Sequence, residues 1–313
     1  MNTPPFSLRQ LQYAVAVADE RNFRKAAEKC HVSQPSLSAQ LAQLEDALGA
    51  RLFERDRNRV IPTPAGDELL ARARRLLAEV DALVAAARHL GDPLAGTLRV
   101  GIIPTVSQYV LPALVAAVRD SHPKLGILWT EEKTPILLAA LQAGNLEAAL
   151  IAQLPALGEV ECVPIAEDPF VLAGPRGHPL LKKRGPVRNE ELAGERLLLL
   201  DDGHCFRDQA LAICSQAGAR EADFRATSLS TLAQMVAGGA GLTLLPALSL
   251  PVENRRGELS LRQLEPPAPG RTLVLAFRKS SPLGPALREL AGTLKKGWRE
   301  DKRASRFRLQ TSG

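Results

Sequence analysis

The segment "FRKAAEKCHVSQPSLSAQLAQLEDALGARLFERDRNRVIPTPAG", residues 23–66, decides the fold of the N-terminal part of this chain. Its middle predicts a helix that Ser33 caps, that carries Pro35 in the first turn and that Gly49 ends. Two amphipathic helices precede this helix, and the arginine-rich stretch after it predicts a short β-hairpin. Apolar residues at helical spacing predict its buried face, namely Leu37, Leu41, Leu44 and Leu48.

The outward side of this helix carries short hydroxyl and amide side chains near its N-terminus, and arginines follow in the hairpin. Such side chains can reach base edges in the major groove of double-stranded DNA, while cations beside them contact phosphates. The pattern alone leaves open a small helical domain whose polar face is only solvated. The candidate DNA-binding residues are Ser33, Gln34, Pro35, Ser36, Ser38, Gln40, Arg51, Arg55, Arg57 and Arg59.

The same segment resembles the winged helix–turn–helix of the LysR-type transcriptional regulators. The resemblance is carried in order by the paired alanines Ala26 and Ala27, by "VSQPSLS", by "LAQLEDALGARLFER" and by "TPAG". It implies a transcriptional regulator that binds operator or promoter DNA as a homodimer or homotetramer and contacts RNA polymerase when it activates. Gln43 departs from the family pattern, because it stands where a cation is common, and one phosphate contact is expected to be absent.

A long helix is predicted to connect this segment to the rest of the chain. Residues 67–90 contain no proline or glycine, and apolar residues repeat every three or four positions at Leu69, Ala73, Leu76, Val80, Leu83, Ala87 and Leu90. This heptad repeat predicts homodimerisation through the helix, and packing on the chain's own second domain is the alternative. The predicted domains are 1–66 for DNA binding, 67–91 for the linker helix, and 92–313 for a sensor with a basic tail.

From residue 97 onward, apolar strands alternate with amphipathic helices, which is typical of an α/β domain with a parallel sheet. The stretch "VECVPIAEDPFVLAGP" is predicted to contribute two strands. The chain is expected to leave one lobe near 165 and to return near 270, which gives two lobes with a cleft between them. The LysR-type resemblance likewise implies a two-lobed sensor domain like a periplasmic binding protein. No glycine-rich phosphate loop is present, so no cofactor is expected.

The composition is that of an ordinary globular protein, with 45% hydrophobic and 24% charged residues. Without an 18-residue apolar run or an export signal, the expected location is the cytoplasm, with no membrane contact. The four cysteines contain no CxxC pair, and no metal site is expected. The net charge of +6 says little about DNA, because residues 295–313 hold seven basic and two acidic residues.

Two cysteines lie in the segment "DGHCFRDQALAICSQAG". Cys205 follows a strand and begins a predicted helix, where the helix N-terminus and the potential cations His204 and Arg207 favour the reactive thiolate. Cys214 lies among apolar residues nine positions further on. Nine helical residues rise roughly 13 Å, whereas a disulfide needs its Cα atoms within about 7 Å. A bridge between these thiols therefore requires the helix to come apart; inert packing cysteines are the alternative.

This segment, together with "FRATSLSTLAQMVAGGAGLTLLPAL", resembles the peroxide-sensing branch of the LysR-type family, and the likeness runs from the N-terminus to about residue 290. The resemblance implies that Cys205 reacts with hydrogen peroxide and that Cys214 resolves the product as a disulfide. It also implies a peroxide pocket formed by Thr105, Thr134, His204 and Arg271, to which Arg207 is added as a neighbouring cation. Cys30 and Cys162 are expected to be structural.

Two other functions compete with peroxide sensing. A regulator of the same family could instead respond to a small metabolite in the cleft between the lobes. A thiol peroxidase could use the same pair of cysteines, but the DNA-binding segment argues against an enzyme.

Overall fold

The computed structural model of the chain describes residues 5–56, 59–88, 94–155 and 157–300. The chain divides into two compact units, which are described separately below. The first contains the residues up to Arg88 together with 142–145, and the second contains the described residues of 89–141 and 146–313. None of the described helices combines the length and the apolar character needed to cross a membrane.

Three helices, a hairpin and a long helix form the first unit. Side-chain caps define the helix starts: Ser7 and Gln10 form a capping box, and Ser33 accepts a hydrogen bond from the backbone of Ser36. Gly49 ends the third helix in the left-handed conformation with φ +66°, which confirms both predicted ends of that helix. The elements are α1 (Leu8–Glu20), α2 (Phe23–Lys29), α3 (Gln34–Leu48), β1 (Phe53–Asp56), β2 (Arg59–Pro62) and α4 (Pro64–Arg88).

The core of the first unit lies under α3, whose predicted apolar face is confirmed. Leu37, Leu41 and Leu44 are fully buried, and Leu48 packs against the same core. The carboxylate of Glu45 is buried beside them and accepts hydrogen bonds from the backbone of Leu52 and Phe53. This single carboxylate therefore fixes where the β1–β2 hairpin leaves α3.

The long helix α4 begins at Pro64, and its predicted apolar heptad face is not exposed along its whole length. Leu69 and Ala73, at the start of the predicted heptad repeat, pack into the core of the first unit, because α4 runs beside α1. Further along, Leu76 is 53% exposed and Leu83 is 69% exposed. Seven residues separate these two leucines, which places them on the same face of the helix. Leu90, the last residue of the predicted heptad repeat, lies outside the described residues.

The second unit alternates strands and helices along the chain. Two short 3₁₀ helices, Asn189–Leu192 and Ala247–Ser249, lie between the longer elements. The elements are β3 (Gly96–Ile102), α5 (Pro104–Ser121), β4 (Leu125–Glu131), α6 (Thr134–Gln142), β5 (Ala148–Ala152), β6 (Val160–Pro175), α7 (Pro179–Lys182), β7 (Arg196–Leu200), α8 (Cys205–Ala217), β8 (Arg220–Ala226), α9 (Leu229–Ala237), β9 (Thr243–Pro246), α10 (Leu250–Glu253), β10 (Leu259–Gln263), β11 (Gly270–Arg278) and α11 (Gly284–Glu300).

Two lobes share the sheet of the second unit, and β6 runs through both. In the first lobe, the strand order is β4-β3-β5-β11-β6, with β3 parallel to β4 and β5. Residues 160–169 of β6 pair with β11, and residues 170–175 pair with β9 on one side and β10 on the other. The second lobe adds the parallel pair β7–β8. The chain thus leaves the first lobe within β6 and returns to it at Gly270, as predicted.

Two details of the predicted sheet are wrong. The stretch expected to form two strands is the single strand β6, with a register shift where Pro164 and Ala166 face Val274 and Leu273 and leave Ile165 unpaired. Proline has no N–H to donate, so a bulge accommodates it without ending the strand. The sheet is also mixed, because β6, β9, β10 and β11 pair antiparallel.

Candidate functional sites

The candidate DNA-binding face lies at the start of α3 and on the hairpin. Its first four residues are exposed, namely Ser33, Gln34, Pro35 and Ser36, and two more are half-buried, namely Ser38 and Gln40. Arg51 is exposed and reaches Glu45 at 3.3 Å. Arg55 and Arg59 lie on the two hairpin strands, and Arg57 lies outside the described residues. The face therefore combines exposed hydrogen-bonding side chains at a helix start with the arginines of the hairpin.

Gln43, the departure from the family pattern, lies one turn beyond this face. Its Oε1 is 3.4 Å from Nε2 of Gln10, a hydrogen bond that joins α3 to α1. Gln43 thus contributes to the packing of the two helices where the family pattern has a cation.

Cys205 and Cys214 lie within one continuous helix, α8, and both are buried. Nine residues correspond to two and a half helical turns, so the two side chains leave opposite faces of α8. The same spacing separates their Cα atoms by about 13 Å, beyond disulfide range. All four cysteines are free thiols. Burial raises the pKa of Cys214 to about 11, which keeps this thiol protonated near neutral pH.

A buried ion pair lies near the N-terminal end of α8. Arg271 on β11 donates through Nε to Asp168 on β6 at 2.9 Å, and both side chains are at most 1% exposed. Its other two nitrogens bond to Thr105 at the start of α5, one to Oγ1 at 2.7 Å and one to the carbonyl oxygen at 3.0 Å. The guanidinium also lies 5.6 Å from the ring centre of Phe206, the residue after Cys205. Arg271 thereby connects the predicted pocket residue Thr105 to the start of α8.

Several buried polar atoms in this region have no hydrogen-bond partner among the described residues. They belong to the predicted pocket residues Thr134 (Oγ1) and His204 (Nε2), and to Asp201 (Oδ1) and Gln209 (Oε1). Buried polar atoms are nearly always hydrogen-bonded, so each of these atoms is a candidate partner for a small polar molecule. Gln209 was not identified from the sequence. Its position one helical turn after Cys205 was the available signal, since residues i and i+4 share a helix face.

His204 occupies the N-cap position of α8 without a capping hydrogen bond from its side chain, and it is not the potential cation that the sequence suggested. Burial lowers the pKa of His204 most, and the positive charge of Lys133 lowers it further, against the opposing effect of Asp201. The imidazole is therefore neutral near neutral pH. Its Nε2 lies 3.1 Å from Oδ1 of Asp201, a contact that favours the imidazolium, although neither atom makes a well-directed hydrogen bond to the residues that the structure describes.

Arg207, which the sequence suggested as a pocket cation, binds elsewhere. Its guanidinium makes a two-point contact with Glu221 on β8, at 2.8 and 3.1 Å, and its Nε donates to Asp202 at 2.9 Å. A further hydrogen bond reaches the carbonyl of Leu200 at the end of β7. This arginine joins the first turn of α8 to both strands of the β7–β8 pair, because two carboxylates lie there and pair with its guanidinium.

The remaining cysteines are half-buried, Cys30 in the first unit and Cys162 in the second. Burial raises the pKa of Cys30, at the end of α2, and of Cys162, on β6. Both therefore stay protonated near neutral pH, which fits packing residues better than reactive thiols.

Comparisons with known proteins define the class of the chain. Residues 8–67 match the "Bacterial regulatory helix-turn-helix protein, lysR family" model, and residues 91–299 match the "LysR substrate binding domain" model. The chain belongs to the LysR family of DNA-binding regulatory proteins.

Within that family, the chain is similar to proteins named for hydrogen peroxide. It is 44% identical over 290 residues to the "Hydrogen peroxide-inducible genes activator" of Pectobacterium carotovorum subsp. carotovorum, covering 92% of this chain and 96% of that protein. It is 43% identical to the "DNA-binding transcriptional dual regulator OxyR" of Escherichia coli (strain K12), covering 92% and 95%. Among solved structures, a full-length OxyR variant from Pseudomonas aeruginosa has a TM-score of 0.74 and 34% identity, covering 93% and 95%. A peroxide-bound OxyR mutant from Corynebacterium glutamicum has a TM-score of 0.66 and 33% identity, covering 99% of both chains.

Proposed function

We propose that this protein is a transcriptional regulator of the oxidative-stress response that senses hydrogen peroxide through Cys205 and Cys214. The observation that carries the proposal is a buried thiol at a helix start, between His204, whose Nε2 lacks a directed hydrogen bond, and Phe206, whose ring contacts the Arg271 that binds Thr105. Hydrogen peroxide is small, uncharged, and both a donor and an acceptor of hydrogen bonds. It therefore suits a site that offers a guanidinium, two hydroxyl groups, a neutral imidazole and an amide.

The proposed reaction has two steps. The Cys205 thiolate attacks one peroxide oxygen, so that an S–O bond forms, the O–O bond breaks, and the leaving hydroxide takes up a proton as water. Donors from Arg271 and Thr105 stabilise the charge that develops on the leaving oxygen. The Cys214 sulfur then attacks the Cys205 sulfur, an S–S bond forms, and the hydroxyl leaves with the Cys214 proton as a second water.

The second step is the proposed switch. Because the two thiols leave opposite faces of an intact α8, the disulfide forms only if part of that helix unwinds and its buried faces repack. We propose that this change alters how the subunits assemble on DNA. The protein would act as a homodimer through the exposed leucines of α4 and as a homotetramer, with RNA polymerase as the partner when it activates transcription.

Mass spectrometry of the thiols after a brief peroxide pulse tests this proposal. The expected product is a Cys205–Cys214 bridge, formed with one peroxide consumed per subunit. Cys205→Ser abolishes the oxidation response and leaves DNA binding by the reduced protein intact, whereas Cys162→Ser, the matched control, responds like the parent. A peroxide response in Cys205→Ser equal to that of the parent refutes the assignment. Continuous consumption of peroxide would instead indicate a peroxidase.

A further inference from the structure

The segment 201–204, which leads directly into Cys205, is held from the opposite lobe by one lysine. Lys133 lies between β4 and α6 on the first lobe, and its Nζ donates to Oδ2 of Asp201 at 3.1 Å and to the carbonyl oxygen of Asp202 at 2.8 Å. We propose that Lys133 is a positioning residue for the peroxide reaction, which ties this segment to the first lobe and shares the carboxylate of Asp201 with His204. The inference rests on the proposed reaction of Cys205.

The aliphatic stem of Lys133 also fits against the backbone of the segment. Gly203 has φ +88°, and a Cβ atom there would lie only 3.1 Å from Cδ of Lys133. The loop therefore approaches the lysine closely at a position where glycine is favoured on both steric and conformational grounds. The contact places the stem over the residue next to His204, so the lysine restrains the loop by packing as well as by hydrogen bonds.

Asp201 lies between two groups that can bind its carboxylate. One oxygen bonds to Lys133, and the other lies 3.1 Å from Nε2 of His204 without hydrogen-bond geometry. The groups that act on His204 are Lys133, Asp201 and the backbone of Thr227, and of these Lys133 disfavours the imidazolium. The lysine thus offsets the effect of Asp201 and keeps the imidazole neutral, so that the lone pair of Nε2 can accept a hydrogen bond from peroxide. Without the ammonium group, the Asp201 carboxylate is free to pair with His204, which favours the imidazolium and occupies Nε2.

The test compares Lys133→Met, which keeps the stem and loses the charge, with Lys133→Arg, which keeps the charge. Lys279→Met is the matched control, because Lys279 makes a similar 3.2 Å ion pair with Glu159 on the surface of the same lobe. Two quantities are measured on the reduced full-length protein. One is the titration of His204 by NMR with ¹³C-labelled histidine, assigned by His204→Gln. The other is the rate constant of Cys205 sulfenylation by hydrogen peroxide as a function of pH.

In Lys133→Met, we expect the pKa of His204 to rise and the rate constant of Cys205 sulfenylation near pH 7 to fall by up to about tenfold. A fall of this size corresponds to the loss of one hydrogen bond in the transition state. The fall deepens as the pH decreases through the raised pKa, because the imidazolium has no lone pair to offer. Lys133→Arg and Lys279→Met are expected to match the parent. If Cys205 reacts in the parent but neither the His204 titration nor the rate changes in Lys133→Met, the proposed role of Lys133 is wrong and the proposed function stands. If Cys205 does not react with peroxide in the parent, the proposed function itself is refuted.

The double variant Lys133→Met/Asp201→Asn separates the competition for Asp201 from a general loss of structure. It lacks the bridge as well, but it has no carboxylate to pair with His204. Its His204 pKa is therefore expected to return to the parent value. A double variant that titrates like Lys133→Met overturns the proposed competition.

Discussion

Replacing Asp168 by asparagine is expected to destabilise the second unit by leaving the Arg271 cation buried without its counter-ion. The carboxylate and the guanidinium are at most 1% exposed, so water cannot compensate for the lost charge. Removing one member of a buried pair typically costs about 3–5 kcal/mol. We expect about 3 kcal/mol, near the low end of this range, because Arg271 keeps two hydrogen bonds to Thr105 and its contact with the Phe206 ring.

Urea unfolding of the full chain measures this loss directly. The chain's two tryptophans, Trp129 and Trp298, both lie in the second unit, so their fluorescence reports on that unit. With a slope of about 2 kcal/mol per molar urea, a loss of about 3 kcal/mol lowers the midpoint by about 1.5 M.

Two further variants control for the interpretation of this experiment. Asp223→Asn removes a carboxylate that is 99% exposed and paired with Arg196, and is expected to cost less than about 0.5 kcal/mol. Asp168→Asn combined with Arg271→Met is expected to recover most of the stability, because no unpaired charge is then buried. A loss below about 1 kcal/mol in Asp168→Asn, or a double variant less stable than the single one, refutes the reasoning.

Three more predictions concern other parts of the molecule. Glu45→Ala removes the acceptor of the backbone N–H groups of Leu52 and Phe53. We therefore expect the first unit to unfold at a lower temperature and DNA binding to be weaker in a mobility-shift assay. Binding equal to that of the parent contradicts the role of this carboxylate. Leu83→Asp places a charge on the exposed face of α4 and is expected to shift the sedimentation coefficient towards that of the monomer, while an unchanged assembly would show that this face is not the dimer contact. The pKa of Glu191 is lowered to about 2, chiefly by a backbone hydrogen bond at Arg188 and then by Lys183. The parent is therefore expected to be more stable than Glu191→Gln above about pH 4.5, and this difference disappears as the pH falls towards 2. A constant difference in stability from pH 7 to 2 would rule out this linkage.

The sequence was sufficient for those parts of the fold that local chemistry determines. Ser33 and Gly49 mark the ends of α3 because a side-chain cap and a left-handed glycine act within a few residues. The sequence was insufficient where pairing partners come from distant parts of the chain. The periodicity of β6 could not reveal that β11 and β10 flank the strand in succession and keep it continuous past Pro164.

The candidate site shows the same limit. The motif "GHCFRDQ" indicated which side chains lie near Cys205, but not which of them are charged or paired. His204 is neutral because of its burial and of Lys133, and Arg207 is engaged because Glu221 follows fourteen residues later on β8. Gln209 was missed because an unpartnered buried oxygen is a property of packing, which no local pattern records.

The continuity of β6 limits how the second unit can transmit a signal. A sensor whose two lobes are joined by flexible connections can close around its ligand by a hinge motion, since the connections bend at little cost. Here the outgoing connection is the continuous strand β6, whose ladder partners change from β11 to β9 and β10 between residues 169 and 170, and the chain returns at Gly270. A rotation between the lobes is therefore confined to this junction, where the buried pair of Asp168 and Arg271 joins β6 to β11. A signal from the reactive thiol that reaches the first lobe must act on this short stretch of the two strands.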